Sequence, residues 1–308
     1  MSAVVYPYDS GATRHGRDGM TTATELRLIT VLTACRRAHP GFLREALESI
    51  VRQSSPRWRA LVIVDDDDAS SASQAGGLLN DLGDDRFLLV RQPSRGFTKA
   101  LNEGMRAART PYVCHLLSDD LLADNAIEVL EQYILRFPEV DFFHSSRQII
   151  GASGEPISGI YPASASFTLE DFKRRGPVKH LHCWKVASAL AIGGMDENRG
   201  PHGADDYDFP WSMAESGCRF QAVEECLYYY RDHREGYRLT THVPLDEQIA
   251  ELRAIWRKHG VTAEEMERML QERTSGYLQQ ALYTDDADRA RKEAEGYDIR
   301  SGWRLPGE

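Results

Sequence analysis

The sequence predicts an α/β protein in which helices flank a mostly parallel central sheet. Short apolar runs rich in β-branched residues alternate with segments whose apolar residues recur at the 3.6-residue spacing of a helix. Several of the apolar runs end in consecutive carboxylates. In open α/β sheets, ligands bind beyond the carboxyl ends of the strands, and alternating strands and helices favour right-handed crossovers.

The first half of the chain supplies this regular alternation. The predicted strands are β-branched or apolar runs at residues 26–33, 60–64 and 86–90, followed by a run that begins at Tyr112. The predicted helices begin at Pro40 and then cover residues 71–82, 97–108 and 126–136.

The second half is less regular. Strands are predicted at residues 140–150, 219–223 and 226–231, and helices at 169–175, 185–191 and 206–215. From Pro244 onward the sequence predicts two or three amphipathic helices. Their apolar stripes are expected to pack on the sheet domain or on a second subunit, and they consist of Ile249, Leu252, Ile255 and Trp256, then Met266, Met269 and Leu270.

Composition excludes several classes of protein. The 308 residues carry a net charge of −10, which argues against nucleic acid or an anionic membrane as the main partner. The five cysteines form no Cys-x-x-Cys pair, so we expect reduced thiols in a cytoplasmic protein. No apolar run approaches the length of a membrane-spanning helix, and no signal peptide is expected.

The pair Asp119–Asp120 follows the strand that begins at Tyr112. Adjacent carboxylates at the end of a buried strand suit a hard divalent cation and, through it, a diphosphate. Alternatively, one of the two caps the next helix. On this stretch alone the two interpretations are equally supported.

Three further polar clusters could carry chemistry. The run of carboxylates at residues 65–68 could bind a base or a ribose hydroxyl. The acids at residues 205–208 could provide a general base or simply a favourable helix N-terminus. Arg231 and His233 could meet phosphates or a metal, and His180 and His182 raise the same question more weakly.

Missing motifs narrow the choice. The chain has no Gly-x-x-x-x-Gly-Lys-Ser/Thr loop, and Ala34-Cys35-Arg36-Arg37 stands where a dinucleotide-binding glycine motif would follow the first strand. It also has no Gly-x-Ser-x-Gly elbow. Nucleoside triphosphatases, ordinary dehydrogenases and serine hydrolases are therefore disfavoured.

Taken together and in this order, the motifs resemble those of the inverting family 2 glycosyltransferases, which have the GT-A fold. The similarity runs from about residue 29 to residue 233. It is carried by Ile29-Thr-Val-Leu-Thr33 with the helix at 43–50, Leu61-Val-Ile-Val-Asp65-Asp66, residues 107–120 ending in Ser118-Asp119-Asp120, Gly194-Met-Asp-Glu197, Ala204-Asp205-Asp206-Tyr-Asp208, and Cys226-Leu-Tyr-Tyr-Tyr-Arg-Asp-His233.

The resemblance implies a nucleotide-sugar donor, most often a UDP-sugar, a hydroxyl acceptor, and Mn²⁺ or Mg²⁺ as cofactor. The implied nucleotide-binding residues are Thr33, Asp65, Asp66, Arg95, Lys99 and Asp119. The implied metal ligands are Asp119, with Asp120 as its neighbour, and His233. Asp206 would be the base that deprotonates the acceptor, and Asp205 is the second candidate for that role.

The same resemblance divides the chain. Residues 1–24 would be a flexible arm, and residues 25–240 the GT-A domain, with a nucleotide-binding half at 25–125 and an acceptor half at 126–240. Residues 241–308 would form a helical extension that could also mediate a homodimer.

One departure from the family pattern supports a different function. The metal motif usually reads Asp-x-Asp-Asp, and Leu117 stands at its first position. We therefore expect weak metal binding in the absence of nucleotide. Leu117 is also the best support for the alternative of a catalytically silent GT-A domain that binds a nucleotide or glycan as a partner subunit. A sugar-nucleotide pyrophosphorylase is a weaker option, because residues 34–37 lack its glycine-rich loop.

Overall fold

The computed structural model describes residues 4–6, 27–93, 95–174, 176–198, 204–233, 245–271, 297–298 and 303–304. Apart from residues 4–6, the predicted N-terminal arm lies outside these residues, as do the predicted boundary at residue 240 and any third C-terminal helix between residues 272 and 296.

The described strands and helices alternate through the first half of the chain. The strands are β1 (Val4–Tyr6), β2 (Ile29–Cys35), β3 (Trp58–Asp65), β4 (Phe87–Gln92), β5 (Tyr112–His115), β6 (Leu121–Leu122), β7 (Phe142–Ile150), β8 (Pro156–Tyr161), β9 (His182–Lys185), β10 (Phe220–Arg231), β11 (Tyr297–Asp298) and β12 (Trp303–Arg304). The helices are α1 (Pro40–Val51), α2 (Ala69–Leu82), α3 (Phe97–Ala107), α4 (Ala126–Arg136), α5 (Leu169–Phe172), α6 (Val186–Ala191), α7 (Asp205–Glu215), α8 (Leu245–Lys258) and α9 (Ala263–Gln271).

One large sheet organises the protein, with strand order β1-β4-β3-β2-β5-β9-β7-β10-β6 and β8 paired to β7. Strands β2 to β5 pair in parallel with one another, and β7 pairs in parallel with β10, whereas β1 lies antiparallel to β4. Strand β9 lies antiparallel between β5 and β7 and joins the two parallel sets. The predicted α/β class with a mostly parallel, helix-flanked sheet is confirmed, and β2 to β5, β7 and β10 all end at one edge.

Several details of the second half were predicted incorrectly. The two strands expected at residues 219–223 and 226–231 are one strand, β10, with irregular register near Cys226. Strands β8, β9, β11 and β12 were missed, and so were β1 and β6 in the first half. Strand β9 is four residues long and begins with a histidine, so it carries no recognisable apolar run.

Each face of the sheet has its own hydrophobic core. Alternating side chains of β2 and β3 point to opposite faces, as the two-residue period of a strand requires. Helices α1, α2 and α4 cover one face, and α3, α7, α8 and α9 cover the other.

The C-terminal helices pack on the sheet domain, which was one of the two expected destinations of their apolar stripes. Leu252, Ile255 and Trp256 of α8 are buried in the second core, and so are Met266 and Met269 of α9. A homodimer through these helices stays a prediction, and it would have to use their other faces.

Among the residues described, none of the helices is both long enough and apolar enough to span a membrane.

Candidate active site

The candidate site lies at the carboxyl edge of the parallel strands. Asp65 is the last residue of β3, and His115 is the last residue of β5. Because β9 runs antiparallel to β5, its first residue, His182, pairs with His115 at the same edge. Residues that are distant in the sequence are therefore brought to one edge of the sheet.

Asp119 and His233 are in direct contact at this edge. Oδ2 of Asp119 lies 3.1 Å from Nε2 of His233. The Asp119 side chain is 37% exposed, whereas the His233 side chain is 4% exposed. The ring of Phe42 in α1 packs on the imidazole at a centroid distance of 4.6 Å. The structure thus brings together two of the predicted metal-binding residues and leaves one carboxylate open to a ligand.

Asp120 is buried and turned away from solvent. The Tyr228 hydroxyl donates to its Oδ2 at 2.6 Å, and the backbone N–H of Arg231 donates to its Oδ1 at 2.7 Å. Burial, followed by the charge of Asp119, raises the pKa of Asp120 well above its usual value. Asp120 thus joins the loop after β5 to β10, and neither it nor Asp119 caps α4, which Asn125 precedes.

Arg231 has a structural position rather than the phosphate-binding position that was one of its predicted options. Its side chain is fully buried. Its guanidinium donates to the backbone oxygens of Asp119 and Ala152, each at 2.7 Å, and to Glu45 at 2.6 Å. All of these partners belong to the protein, so Arg231 fixes the backbone at Asp119 instead of facing a ligand.

The four consecutive carboxylates after β3 separate into different roles. Asp65 is 5% exposed and accepts hydrogen bonds from Arg36 and Gln92. Asp68 caps α2 by accepting from the Ser71 N–H at 3.0 Å, and this hydrogen bond is the main reason that the pKa of Asp68 is lowered. Their mutual repulsion is thereby relieved, since Asp66 and Asp67 are exposed.

The other predicted nucleotide-binding residues surround this strand end. Thr33 in β2 is buried, and its hydroxyl has no hydrogen-bond partner in the structure. Asp66 pairs with Arg91 at 2.9 Å. Arg95 is exposed and Lys99 is half-buried, at the start of α3. Because Gln92 donates to both Asp65 and the backbone oxygen of Gly96, the strand end and this basic segment are connected.

The predicted base lies in the first turn of α7. Burial, and then the charge of Asp205, raises the pKa of Asp206 to about 8, while Arg147 opposes the shift. Burial also raises the pKa of Asp205 to about 6. Pro210 has no N–H to donate to the Asp206 carbonyl, so the helix is locally open behind this residue. A carboxyl group with a raised pKa accepts a proton more readily than an ordinary carboxylate does.

A chain of aromatic and polar contacts connects the two acidic groups. Tyr228, which binds Asp120, stacks on His180 at a centroid distance of 5.3 Å. Nδ1 of His180 lies 3.9 Å from Oδ2 of Asp206 and 3.5 Å from the guanidinium of Arg147. Arg147 was not predicted to belong to the site, and His180 was only a weak candidate for a functional residue. The sequence did contain a hint that His180 and His182 lie side by side, because residues two apart in a strand point to the same face.

Comparison with known proteins identifies the family. The model of the family described as "Glycosyl transferase family 2" matches residues 30–184, which is half of the chain. The chain belongs to glycosyl transferase family 2. The resemblance inferred from the motifs is therefore confirmed.

Relatives of this family member come from distant microbes. The chain is 26% identical over 208 residues to the O-antigen biosynthesis protein RfbC of Myxococcus xanthus, covering 67% of this chain but only 16% of RfbC. It is 21% identical over 216 residues to an uncharacterized glycosyltransferase of Methanocaldococcus jannaschii, covering 68% of this chain and 73% of that protein.

Solved structures of glycosyltransferases share the fold. The S. aureus TarS fragment 1–349 in complex with UDP-GlcNAc superimposes with a TM-score of 0.59 at 16% identity, covering 83% of this chain and 72% of that fragment. The mannosyltransferase PcManGT of Pyrobaculum calidifontis, in complex with GDP-Man and Mn²⁺, gives a TM-score of 0.57 at 18% identity, covering 90% of this chain and 78% of PcManGT. The predicted GT-A fold is confirmed.

The family 2 chain offers a partial set of metal ligands. The part of the chain that is described contains no group of three or more His, Cys, Asp and Glu side chains that could hold a metal ion. Asp119 and His233 provide one oxygen and one nitrogen, and Asp120 is already bound within the protein. A divalent cation held by this pair would need its remaining ligands from a diphosphate and water, an arrangement that is common for Mg²⁺.

Proposed function

We propose that the protein is a metal-dependent inverting glycosyltransferase that moves a sugar from a nucleotide-sugar donor to a hydroxyl acceptor. The observation that carries this proposal is the contact chain from Asp120 through Tyr228 and His180 to Asp206. These contacts connect the carboxyl group of Asp206, whose raised pKa favours proton acceptance, to the loop that carries Asp119, and so support the proposal.

Each predicted residue has a role in the proposal. Asp65, Asp66 and Thr33 bind the nucleoside at the ends of β2 and β3. Arg95 and Lys99 approach the phosphates from the start of α3. Asp119 and His233 hold Mn²⁺ or Mg²⁺, which supplies positive charge beside the departing diphosphate. Asp120 keeps the loop that carries Asp119 in place.

The reaction is a single displacement. Asp206 accepts the proton of the acceptor hydroxyl as the acceptor oxygen bonds to the anomeric carbon. The bond from that carbon to the diphosphate oxygen breaks, and the configuration inverts. Asp205 is the second candidate for the base, although the pKa of Asp206 is raised further.

The nucleotide, the acceptor and the cellular location are parts of the same proposal. UDP is the expected nucleotide, and a GDP-sugar is the competing donor, since the two structural neighbours were solved with different nucleotides. The acceptor is a hydroxyl compound of unknown class. The cytoplasmic location rests on the expected reduced thiols.

A catalytically silent domain is the second candidate, and a specific observation favours it. Leu117 occupies the first position of the metal motif, and its backbone N–H lies 3.2 Å from the Tyr228 hydroxyl. The loop is thus held in place without a carboxylate at this position. Such a domain would bind nucleotide and transfer nothing.

Turnover by the unsubstituted protein separates the two candidates, and one substitution tests the proposed base. We expect Asp206→Asn to lower transfer, or hydrolysis of the donor, by at least about 100-fold, because the general base is removed. Nucleotide affinity should stay within about twofold, since Asp206 lies outside the proposed nucleoside pocket. Turnover is measured by nucleotide release with Mn²⁺ over a panel of UDP-sugars and GDP-sugars, and affinity by calorimetry.

Asp246→Asn is the matched control, because Asp246 is an exposed carboxylate in the first turn of α8, outside the proposed site. It should retain turnover. Full turnover in Asp206→Asn would remove Asp206 as the base. Nucleotide binding by the unsubstituted protein without turnover of any donor would favour the silent domain.

A further inference from the structure

Buried histidines form a row across the sheet at the candidate site. His115 of β5, His182 of β9 and His144 of β7 occupy paired register positions on neighbouring strands. His180 precedes β9, and its ring stacks on that of His182 at a centroid distance of 4.4 Å and an interplanar angle of 11°. His115, His180 and His182 together are called the imidazole floor below.

The imidazole floor has hydrogen-bonding capacity that the protein does not use. Nε2 of His115 and Nε2 of His182 are buried and have no hydrogen-bond partner among the residues that the structure describes. Oδ1 of the nearby Asp206 is in the same state. Buried polar atoms are normally paired, so a cluster of unpaired ones at a strand edge calls for an explanation, such as a bound ligand.

The charge of the floor restricts the ligand. Burial is the main reason that the pKa of His115 falls to about 4, and burial also lowers the pKa values of His180 and His182 well below the usual value. Neutral imidazoles attract phosphate poorly, but each has one donor and one acceptor nitrogen. A sugar hydroxyl can both donate and accept hydrogen bonds, so it matches such a surface.

We infer that the imidazole floor is the subsite that holds the transferred sugar of the donor beside Asp206. His180 lies between the floor and the base, with Nδ1 3.9 Å from Asp206. Hydroxyls of the sugar pair with His115 and His182, and the nucleoside and diphosphate bind elsewhere, at β2, β3 and Asp119. This inference rests on the proposed function and adds the residues that recognise the sugar.

Two aromatic substitutions test the floor. His115→Phe and His182→Phe keep a ring of similar size, and each site already has a phenylalanine neighbour at 5.3 Å, Phe97 and Phe142 respectively. The Kd values of UDP, UDP-glucose, UDP-GlcNAc, GDP and GDP-mannose are measured by calorimetry with Mn²⁺. We expect the ratio of the sugar-nucleotide Kd to the nucleotide Kd to rise about fivefold in each variant. The Kd of the nucleotide alone should stay within about twofold.

His144→Phe is the matched control. His144 is also buried, its pKa is also lowered to about 4 by burial, and its ring contacts Phe167 at 6.1 Å. This contact is on the side of Phe167 rather than of His180 or Asp206, so His144→Phe should leave the ratio unchanged. His182→Gln restores a hydrogen-bonding side chain and should recover part of the ratio, and it serves as the second variant where His182→Phe unfolds.

The outcomes distinguish a failure of the imidazole floor from a failure of the proposed function. An unchanged ratio in His115→Phe and His182→Phe overturns the floor while leaving the proposed function in place. An equal change in His144→Phe overturns it as well, because the effect would then be a general loosening of the sheet. Failure of the unsubstituted protein to bind any of the five compounds contradicts the proposed function itself.

Discussion

At the scale of single residues, the carboxylate of Asp120 shows how the site is held in shape. Its two oxygens accept from Tyr228 and from the backbone of Arg231, and Arg231 in turn binds the backbone of Asp119. A buried carboxyl group is tolerated only when its oxygens are hydrogen-bonded in this way. The buried carboxyl group of Asp120 therefore holds the loop from which the Asp119 carboxylate reaches solvent.

Removing the Tyr228 hydroxyl tests this support. Tyr228→Phe takes away the donor to Asp120 and leaves the buried carboxylate with one fewer partner, so we expect the free energy of unfolding to fall by about 1–3 kcal/mol. Urea denaturation measures this change. Tyr133→Phe is the control, because the Tyr133 hydroxyl contacts the exposed Glu225 at 3.3 Å. Equal stability losses in the two variants would show that Asp120 does not depend on Tyr228.

At the scale of elements, a charged cluster fastens α8 to the helix that carries the proposed base. This α7–α8 clamp consists of Asp208, Glu215, Lys258 and His259. Asp208 binds Lys258 at 2.6 Å and His259 at 3.0 Å, and the other ring nitrogen of His259 lies 2.8 Å from Glu215. The imidazole also stacks on Trp211 at 4.2 Å. Helix α8 thereby stabilises the position of α7, the helix that carries Asp206.

The clamp predicts a pH-dependent stability. Burial by itself would raise the pKa of Asp208, but hydrogen bonds from His259 and Lys258 outweigh it and lower the pKa. Ionised Asp208 therefore stabilises the fold above pH ~4, near the pKa of an unfolded aspartate, and this contribution is lost as the pH falls further. Asp208→Asn should cost about 3 kcal/mol at pH 7, because the ammonium group of Lys258 and the imidazole of His259 lose a buried anionic partner.

Denaturation at several pH values measures the effect. The difference between the unsubstituted protein and Asp208→Asn should narrow below pH ~4. The control is Glu267→Gln, which breaks an exposed ion pair with Arg253 and should change stability little. A difference that stays constant from pH 7 down to pH 3 would show that the Asp208 charge does not fasten α8.

At the scale of the whole molecule, local pattern predicted the first half of the fold well. Helix α4 has its predicted bounds, and β2 to β5 lie within a few residues of theirs, because each is a clear apolar or periodic run between turn residues. The same pattern placed Asp65 and Asp119 at the sheet edge. The sequence could therefore predict the position of those site residues that directly follow a clearly patterned strand.

The remainder of the site depends on contacts that local pattern does not contain. Strand β9 is short and polar, and its position between β5 and β7 is decided by tertiary pairing. For that reason His180, His182 and Arg147 were not recognised as neighbours of Asp206. The burial of Asp120 and Arg231 could not be predicted either. The sequence does not distinguish an acid that faces solvent after a strand from one that is hydrogen-bonded to a tyrosine.

The inverting mechanism is tested most directly by the stereochemistry of the reaction with water as the acceptor. This experiment does not require the natural acceptor to be known. The enzyme is incubated with Mn²⁺ and an α-linked nucleotide sugar that it turns over, and the released sugar is followed by time-resolved proton NMR. A single displacement predicts that the β-anomer forms first and then equilibrates. Initial release of the α-anomer would contradict the inverting mechanism and the role of Asp206 in it.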